Sequence, residues 1–510
     1  MASTAHEVRR DNESDAYAEA RSGFDALLGW IESGEATTHT ELLSGLRGRG
    51  DEVLLSVLQG RLDSLFAGEK VALAASPRQP GVEVRARRRH LETDFGRATV
   101  RRHGHKEAGK PPRFPMDEAL NLPPEVYALS LRKRVAEEAR GASWDASVAR
   151  IDATTSGHVP KRQAEALTVR AAQDVDAFYA QPRAANDTVS PTAIQVLTAD
   201  AKGLTMRPEA LREATRKEAE AAKADAVKGD PMAQRKFRQH DKRMAIVTAV
   251  YDVEPHARTA EDIVEGLRPK KGAAAKAARK KARGPRPQNK RLAASVTRTQ
   301  AEGIAEMFDE ADRRDPARER QTVVLIDGDK KLRKAAEDQA TKRGRPITVI
   351  VDVIHVLHYL WMAGFALCRK DERATDAWVV ETLFKLLTRH PLDVAAGIKQ
   401  AATLRGLTKQ QMKPVDKCIR YLRKNSVYIE YRRFLEAGFP IASGVIEGAC
   451  RHLIQDRLGI TGARWGLIGA EAILKLRSLN SSGDWDAYWN FHEHQEARRN
   501  YGAPEKTWAA

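Results

Sequence analysis

Three carboxylates in this chain stand where a carboxylate needs a reason. Glu447 sits in Pro440-Ile-Ala-Ser-Gly-Val-Ile-Glu447-Gly-Ala-Cys-Arg451, a small apolar stretch that reads as a helix start. Asp200 closes the strand-like run Val196-Leu-Thr-Ala-Asp200, and Asp327 closes Val323-Val-Leu-Ile-Asp327. A buried acid is costly unless it is paired or bound to a cation. Hard oxygen ligands on rigid elements, completed by water and substrate phosphate, are what Mg²⁺ prefers. Three such groups converging would hold two Mg²⁺ or Mn²⁺ ions about 3.5–4 Å apart, the arrangement that activates a water or hydroxyl and stabilises the leaving oxygen in phosphodiester transfer. The chain has 69 acids in all, and a strand-terminal Asp often caps a following turn, so spacing alone does not decide the matter.

Nearby residues compete for roles. Asp329 shares one turn with Asp327, but Asp327 directly follows the apolar strand, whereas Asp329 reads as the N-cap of a helix beginning at Lys330. Asp352 and His355 flank the next strand-to-helix junction, where capping and core hydrogen bonding compete with substrate contact. Arg464 and Trp465 suit clamping a phosphate and stacking a base, although a Trp on an apolar face commonly belongs to the core.

The elements that must position these groups can be read in outline. The chain has 510 residues, 42% hydrophobic and 30% charged, enough for two to four domains with a sizeable core. The 86 Lys and Arg against 69 Asp and Glu leave a net charge of +17, which implies polyanionic partners, nucleic acid first. No apolar run approaches the roughly 20 residues that span a bilayer, and the polar start lacks a signal-peptide core. The expected location is cytoplasmic, with no membrane contact. Cys368, Cys418 and Cys450 lack C-x-x-C spacing, which argues against disulfide frameworks and structural zinc and leaves them as ordinary packing residues. No internal repeat and no Walker or dinucleotide glycine motif is found.

Residues 1–85 carry helical periodicity. Alternation from Val82 to Val100 around Arg85-Ala-Arg-Arg-Arg-His90 predicts a basic β-ribbon within 86–115, either touching phosphates or forming a solvated charged hairpin. In 116–183, two short helices flank the turn Gly157-His-Val-Pro160; the second opens with Lys161, Arg162 and Gln163 and carries Arg170. That pattern matches a helix-turn-helix, which occurs in DNA-binding proteins and in plain bundles alike. A linker precedes residue 192. From there to 354, strands at 194–199, 244–251, 323–326 and 347–351 alternate with helices, implying an α/β or α+β sheet. Within it, Arg268–Arg291 holds eleven basic residues and no acid, including Lys270, Lys271, Arg279, Lys280, Lys281 and Arg283. It reads as a solubilising insertion or, preferably, as an arm lying along DNA phosphates. Residues 355–439 are helical throughout, and 440–510 end the chain as helices carrying Glu447.

Four segments together resemble a known family: Val196-Leu-Thr-Ala-Asp200-Ala-Lys-Gly-Leu-Thr-Met-Arg207, Val324-Leu-Ile-Asp327-Gly-Asp329, Val351-Asp-Val-Ile-His355 and Ile441-Ala-Ser-Gly-Val-Ile-Glu447-Gly-Ala-Cys. With Asp456-Arg-Leu-Gly-Ile-Thr-Gly-Ala-Arg464-Trp465 and Phe114-Pro-Met-Asp-Glu-Ala-Leu, they look like bacterial insertion-sequence transposases of the ISKra type, over most of the chain from about residue 88. The resemblance implies a multidomain α+β protein: a helix-turn-helix DNA-binding region, then an RNase H-like catalytic core interrupted by a helical insertion. It implies Asp200, Asp327 and Glu447 as metal-binding catalytic acids of a DDE-type transposase. The implied partners are terminal inverted repeats and target DNA, bound by a homo-oligomer. The alternative is an inactive, DNA-binding derivative of such an enzyme. Where the family commonly has Asp-Gly, this chain has Asp200-Ala201, and Ala is disfavoured if that position needs a positive φ. Where the family often has a cysteine-containing ribbon, Arg101–Gly109 offers only His103 and His105, too few ligands for zinc.

Overall fold

Continuous apolar runs become central strands, and basic, alternating segments become a ribbon, in a mixed α+β chain. The computed structural model describes residues 15–77, 80–182, 190–226, 241–267, 284–369, 371–460 and 462–502. The chain divides into two compact units, Met1–Ala180 with Asp484–Ala510, and Gln181–Gly483. No helix among the described residues is long and apolar enough to cross a membrane.

In the first unit, helices α1 (Ala18–Glu32) and α2 (His39–Ala75) pack together. Thr38 and Glu41 form a capping box that starts α2. Strands β1 (Val82–Thr93) and β2 (Gly96–Glu107) pair antiparallel, with Arg88 opposite Arg101. Helices α3 (Leu129–Ala139), α4 (Trp144–Thr154) and α5 (Lys161–Ala171) bury Leu131, Val135, Ile151, Val159, Ala164 and Leu167 in one cluster. Between α4 and α5, a Cβ on Gly157 would lie 2.3 Å from the Thr93 carbonyl oxygen, so only glycine lets the turn press against the ribbon. The C-terminal region read from sequence as 440–510 divides: the helix Trp485–Tyr501 belongs with this unit, its His492 bonding Asp174 at 2.7 Å.

The second unit is built on a five-stranded sheet: β3 (Ile194–Thr205), β4 (Lys242–Val253), β5 (Gln288–Ser295), β6 (Thr322–Ile326) and β7 (Thr348–Val351). The strand order is β5-β4-β3-β6-β7. β3, β4 and β5 are antiparallel neighbours, while β6 runs parallel to β3 and β7 parallel to β6. β3 continues past Asp200 through Ala201, which has no positive φ, so alanine is accommodated there as ordinary strand. β5 grows out of the polybasic segment, so Gln288–Arg291 belongs to the sheet and not to an arm. Helices α6 (Gln300–Arg314) and α7 (Lys330–Arg343) cover one face, burying Ile304, Met307, Phe308, Leu332 and Ala336 against Leu197, Ala199, Val324 and Ile326. After β7 come α8 (Val353–Leu367), α9 (Glu372–Thr388), α10 (Pro391–Leu404), α11 (Lys409–Lys424) and α12 (Tyr431–Glu436). The chain then returns to the sheet with α13 (Gly444–Ala449), a π-helical turn Cys450–Gln455, and α14 (Leu467–Ser482) beside β5.

Candidate metal centre

Sheet register brings the acids together. Thr198 on β3 lies opposite Leu325 on β6, and Ile326 lies opposite Val351 on β7. Continuing both registers sets Asp200 level with Asp327 and Asp327 level with Asp352, on chains that strand spacing holds roughly 4.8 Å apart. Alternation then settles the side. Leu197, Ala199, Val324 and Ile326 point to the core under α6 and α7, so Asp200 and Asp327 point to the other face. There they meet α13, whose first turn carries Glu447. Asp200, Asp327, Asp352, His355 and Glu447 line one cleft.

Each side chain is held differently. The Asp200 carboxylate accepts the Ala201 N–H at 2.6 Å and the Cys450 thiol at 3.3 Å. Cys450 is therefore more than the ordinary packing residue that its spacing suggests. Burial and the neighbouring Asp200 push its thiol pKa well up, keeping the proton that it donates. Asp327 Oδ1 accepts from the Asp329 N–H at 2.8 Å, and Oδ2 has no hydrogen-bond partner among the described residues. The turn that makes this possible needs Gly328, at φ +85°, where a Cβ would also lie 2.8 Å from the Tyr421 hydroxyl. Tyr421 donates that hydroxyl to the Asp327 carbonyl at 2.8 Å and stacks on Tyr359, ring centroids 3.9 Å apart. Burial, with Asp200 adding like-charge repulsion, raises the Asp327 pKa. The Glu447 carboxylate makes no hydrogen bond or ion pair with another described residue.

Asp329 is exposed and caps α7, accepting from the Lys331 and Leu332 N–H groups at 2.7 and 3.0 Å. Asp352 is 5% exposed and fully engaged: Oδ1 accepts from Ile354 N–H at 2.7 Å and Oδ2 from Ser443 N–H at 2.9 Å. Ser443 in turn caps α13 and touches Thr198 Oγ1 at 3.2 Å. Asp352 thus ties the end of β7 to the start of the helix that presents Glu447, a link between residues 91 apart that spacing in the sequence does not reveal. Burial raises its pKa, with Glu447 adding repulsion. Asp352→Asn keeps one acceptor and turns an amide NH₂ toward the other N–H. The expected cost is about 1–3 kcal/mol of unfolding free energy, read by urea denaturation, and an unchanged midpoint would show that the tether does not hold the two segments.

Oxygen donors with open lone pairs at Asp327 and Glu447, a partly engaged Asp200 and no Lys or Arg lining the cleft suit a hard divalent cation. A second acid group makes the contrast. Asp200, Asp327 and Glu447 stand wider apart than the one group of three, among the described residues, whose ligand atoms all lie within 4.8 Å of one another: Asp174, His492 and Glu496 in the first unit. There Arg132 bonds Glu496 at 2.9 Å and Arg499 bonds both acids, so arginines already neutralise that group.

The remaining candidates lie elsewhere. Trp465 is buried, its indole N–H donating to the Leu458 carbonyl at 3.1 Å with Arg457 over its ring; it packs the core and offers no face for a base. Arg464 is exposed and does not line the cleft. On α5, Arg162 and Gln163 are exposed, whereas Lys161 pairs with Asp145 at 2.7 Å and Arg170 with Glu125 at 3.0 Å. In the ribbon, Arg87 and Arg88 are exposed, but Arg89 donates to the Pro123 and Glu125 carbonyls. His103 stacks on Phe66 and faces Glu69. Lys270, Lys271, Arg279, Lys280, Lys281 and Arg283 lie outside the described residues.

No family model matches this chain, and no curated protein matches it.

Proposed function

We propose that this protein is a DDE-type DNA transposase of a bacterial insertion sequence, working in the cytoplasm on its element's terminal inverted repeats and on target DNA. The observation that carries the reading is the cleft itself: Asp200 from within β3, Asp327 from the end of β6 and Glu447 from α13 line it with Asp352 and His355, and with no Lys or Arg. Uncompensated carboxylates in one cleft favour a bound cation. An RNase H-like core is supported by the strand order β5-β4-β3-β6-β7 with β4 antiparallel, and by the first two acids lying on the neighbouring parallel strands, Asp200 within β3 and Asp327 just after β6. The resemblance of the segments around Asp200, Asp327 and Glu447 to ISKra-type transposases points the same way, and residues 353–436 would be the helical insertion.

Asp200, Asp327 and Glu447 would hold Mg²⁺ or Mn²⁺, two ions in this reading. Bound there, the ions supply activation of a water or 3′-hydroxyl and neutralisation of charge on the phosphate. The chain's part is to fix its ligands: Gly328 and Tyr421 set the turn that aims Asp327, Cys450 orients Asp200, and Asp352 docks the Glu447 helix. Helices α4 and α5 are read as a helix-turn-helix that contacts the element ends through Arg162 and Gln163, with Lys161 and Arg170 exchanging their carboxylate partners for phosphates. Binding as a homo-oligomer would pair the two ends.

The test is incubation of the purified protein with labelled duplexes carrying the terminal repeats, with Mg²⁺ or with chelator. Nicking at the repeat boundary, only with the metal, is expected. Specific binding without nicking would make the protein an inactive, DNA-binding derivative. Binding equally well competed by unrelated duplex would make it a general nucleic-acid binder.

A further inference from the structure

Helix α11 shows two faces. Val415, Cys418, Ile419 and Leu422 are buried, while Lys409, Lys413, Lys417, Arg420, Arg423 and Lys424 are exposed. At 3.6 residues per turn those six cations fall within an arc of about 120°, opposite the buried face and interrupted by a single acid, Asp416. None of the six forms an ion pair with another described residue. No large apolar side chain of α11 is exposed, so the face suits neither a membrane, which needs an apolar strip, nor a partner helix.

We infer that the basic face of α11 is a docking surface for duplex DNA, laying one strand's phosphates along the helix and into the carboxylate cleft. This inference rests on the transposase reading and adds the substrate's path. Lys409 to Lys424 spans about 22 Å of helix, over which one DNA strand presents about six phosphates. The number of cations and the number of charges therefore match along one line. The face is also anchored to the site. Tyr421, on the same helix, donates to the Asp327 carbonyl, and the Lys417 ammonium lies 5.6 Å from the centroid of the Tyr359 ring that stacks on Tyr421. A phosphate held by Lys417 or Arg420 would thus sit at the rim of the cleft, where its neighbour along the strand can reach the acids. The cleft is lined by no Lys or Arg, and α11 carries them beside it.

The measurement is binding of the full-length protein to a labelled, unrelated duplex across a salt series without metal. It compares Lys413→Gln/Lys417→Gln/Arg420→Gln with Arg389→Gln/Lys399→Gln/Arg405→Gln, three exposed basic residues of the same helical block. Each phosphate that is no longer neutralised lowers the magnitude of the log–log slope by about 0.9, so the first variant should lose about 2.7 and the second close to nothing. Single substitutions at Lys413, Lys417 and Arg420, each expected to lose about 0.9, guard against a folding defect in the triple variant. Equal slopes for the two triple variants, or a larger change on duplex RNA than on DNA, would overturn the proposal. The two readings fail separately. Absence of metal-dependent nicking by the wild-type protein sinks the transposase assignment, whereas an unchanged slope in a protein whose nicking is intact sinks only the docking surface.

Discussion

Replacing Asp200 or Asp327 with Asn, or Glu447 with Gln, should abolish end nicking and strand transfer while leaving DNA binding within about twofold. Each substitution keeps size and removes one charged oxygen donor from the cleft. Cation-dependent stabilisation of a phosphoryl-transfer transition state is worth several kcal/mol. At 1.36 kcal/mol per tenfold, a loss of about 4 kcal/mol is about a thousandfold in rate. Affinity should hold because duplex binding comes mainly from basic groups neutralising phosphates, and none of the three acids is one of these. Asp329→Asn is the internal control: it is exposed, its role is to cap α7, and Asn caps about as well as Asp. A second readout is independent of activity. A ligand that binds only the folded state raises stability by about 2.7 kcal/mol at a hundred times its Kd, so saturating Mg²⁺ should raise the melting temperature of the wild type and of Asp329→Asn, but not of the other three. Full activity in any of those three, or loss only with Asp329→Asn, would refute the ligand assignment.

Asp200 and Asp327 stand out in the sequence for reasons of strand physics. Both follow largely apolar runs, broken before Asp200 only by Gln195 and Thr198, and a strand buried on both faces is mostly apolar, so a carboxylate directly after such a run is conspicuous. The helix Lys330–Arg343 is equally legible, because Asp329 and Gly344 punctuate it at cap and C-terminus. Glu447 is conspicuous for the opposite reason, as the one charge in a short segment of glycine, serine and aliphatic residues. Other parts stay hidden because they depend on contacts far apart in sequence. β5 is concealed by its cations: Gln288, Asn289 and Lys290 are exposed, and the strand exists because β4 offers it an open edge. The second half of β3, Ala201-Lys-Gly-Leu-Thr205, lacks strand-like composition and is held by pairing with Lys242–Ile246. Asp352 reads as a cap, and its Oδ1 is one; its second oxygen reaches Ser443 only because the helical block returns the chain to β7. The basic face of α11 is legible in principle, since Lys409, Lys413, Lys417, Arg420 and Lys424 recur at helical spacing, but the more cationic Arg268–Arg291 segment outweighs it.

The largest stability effect expected of one substitution is at Arg345, far from the acids. This guanidinium is 3% exposed, yet it is surrounded by acceptors: Gln195 Oε1 at 3.1 Å, Thr322 Oγ1 at 2.9 Å, the Asp315 carbonyl at 2.7 Å and the Asp312 carboxylate at 2.9 Å. It therefore joins the first residues of β3 and β6 to the end of α6, on the strands that further along carry Asp200 and lead into Asp327. Removing one partner of a buried ion pair costs about 3–5 kcal/mol, because the groups left behind stay buried without compensation. Arg345→Met, similar in volume and apolar, should lower the unfolding free energy by that amount in urea denaturation. Lys334→Gln, which breaks the exposed pair with Asp338, should change nothing measurable. The pH dependence carries a further sign. Burial acts to raise Asp312, but hydrogen bonds from Arg343 and Arg345 outweigh it and hold its pKa below the ordinary aspartate value. A carboxylate depressed in the folded state adds stability at neutral pH that is lost as pH falls below about 3.9 and through the folded pKa. The wild type should therefore lose stability in that acid range more steeply than Arg345→Met, whose Asp312 keeps Arg343 and the longer contact to Arg318 but loses the Arg345 hydrogen bond. Parallel acid profiles, or a cost under about 1 kcal/mol at neutral pH, would show that water or a shifted side chain replaces the guanidinium.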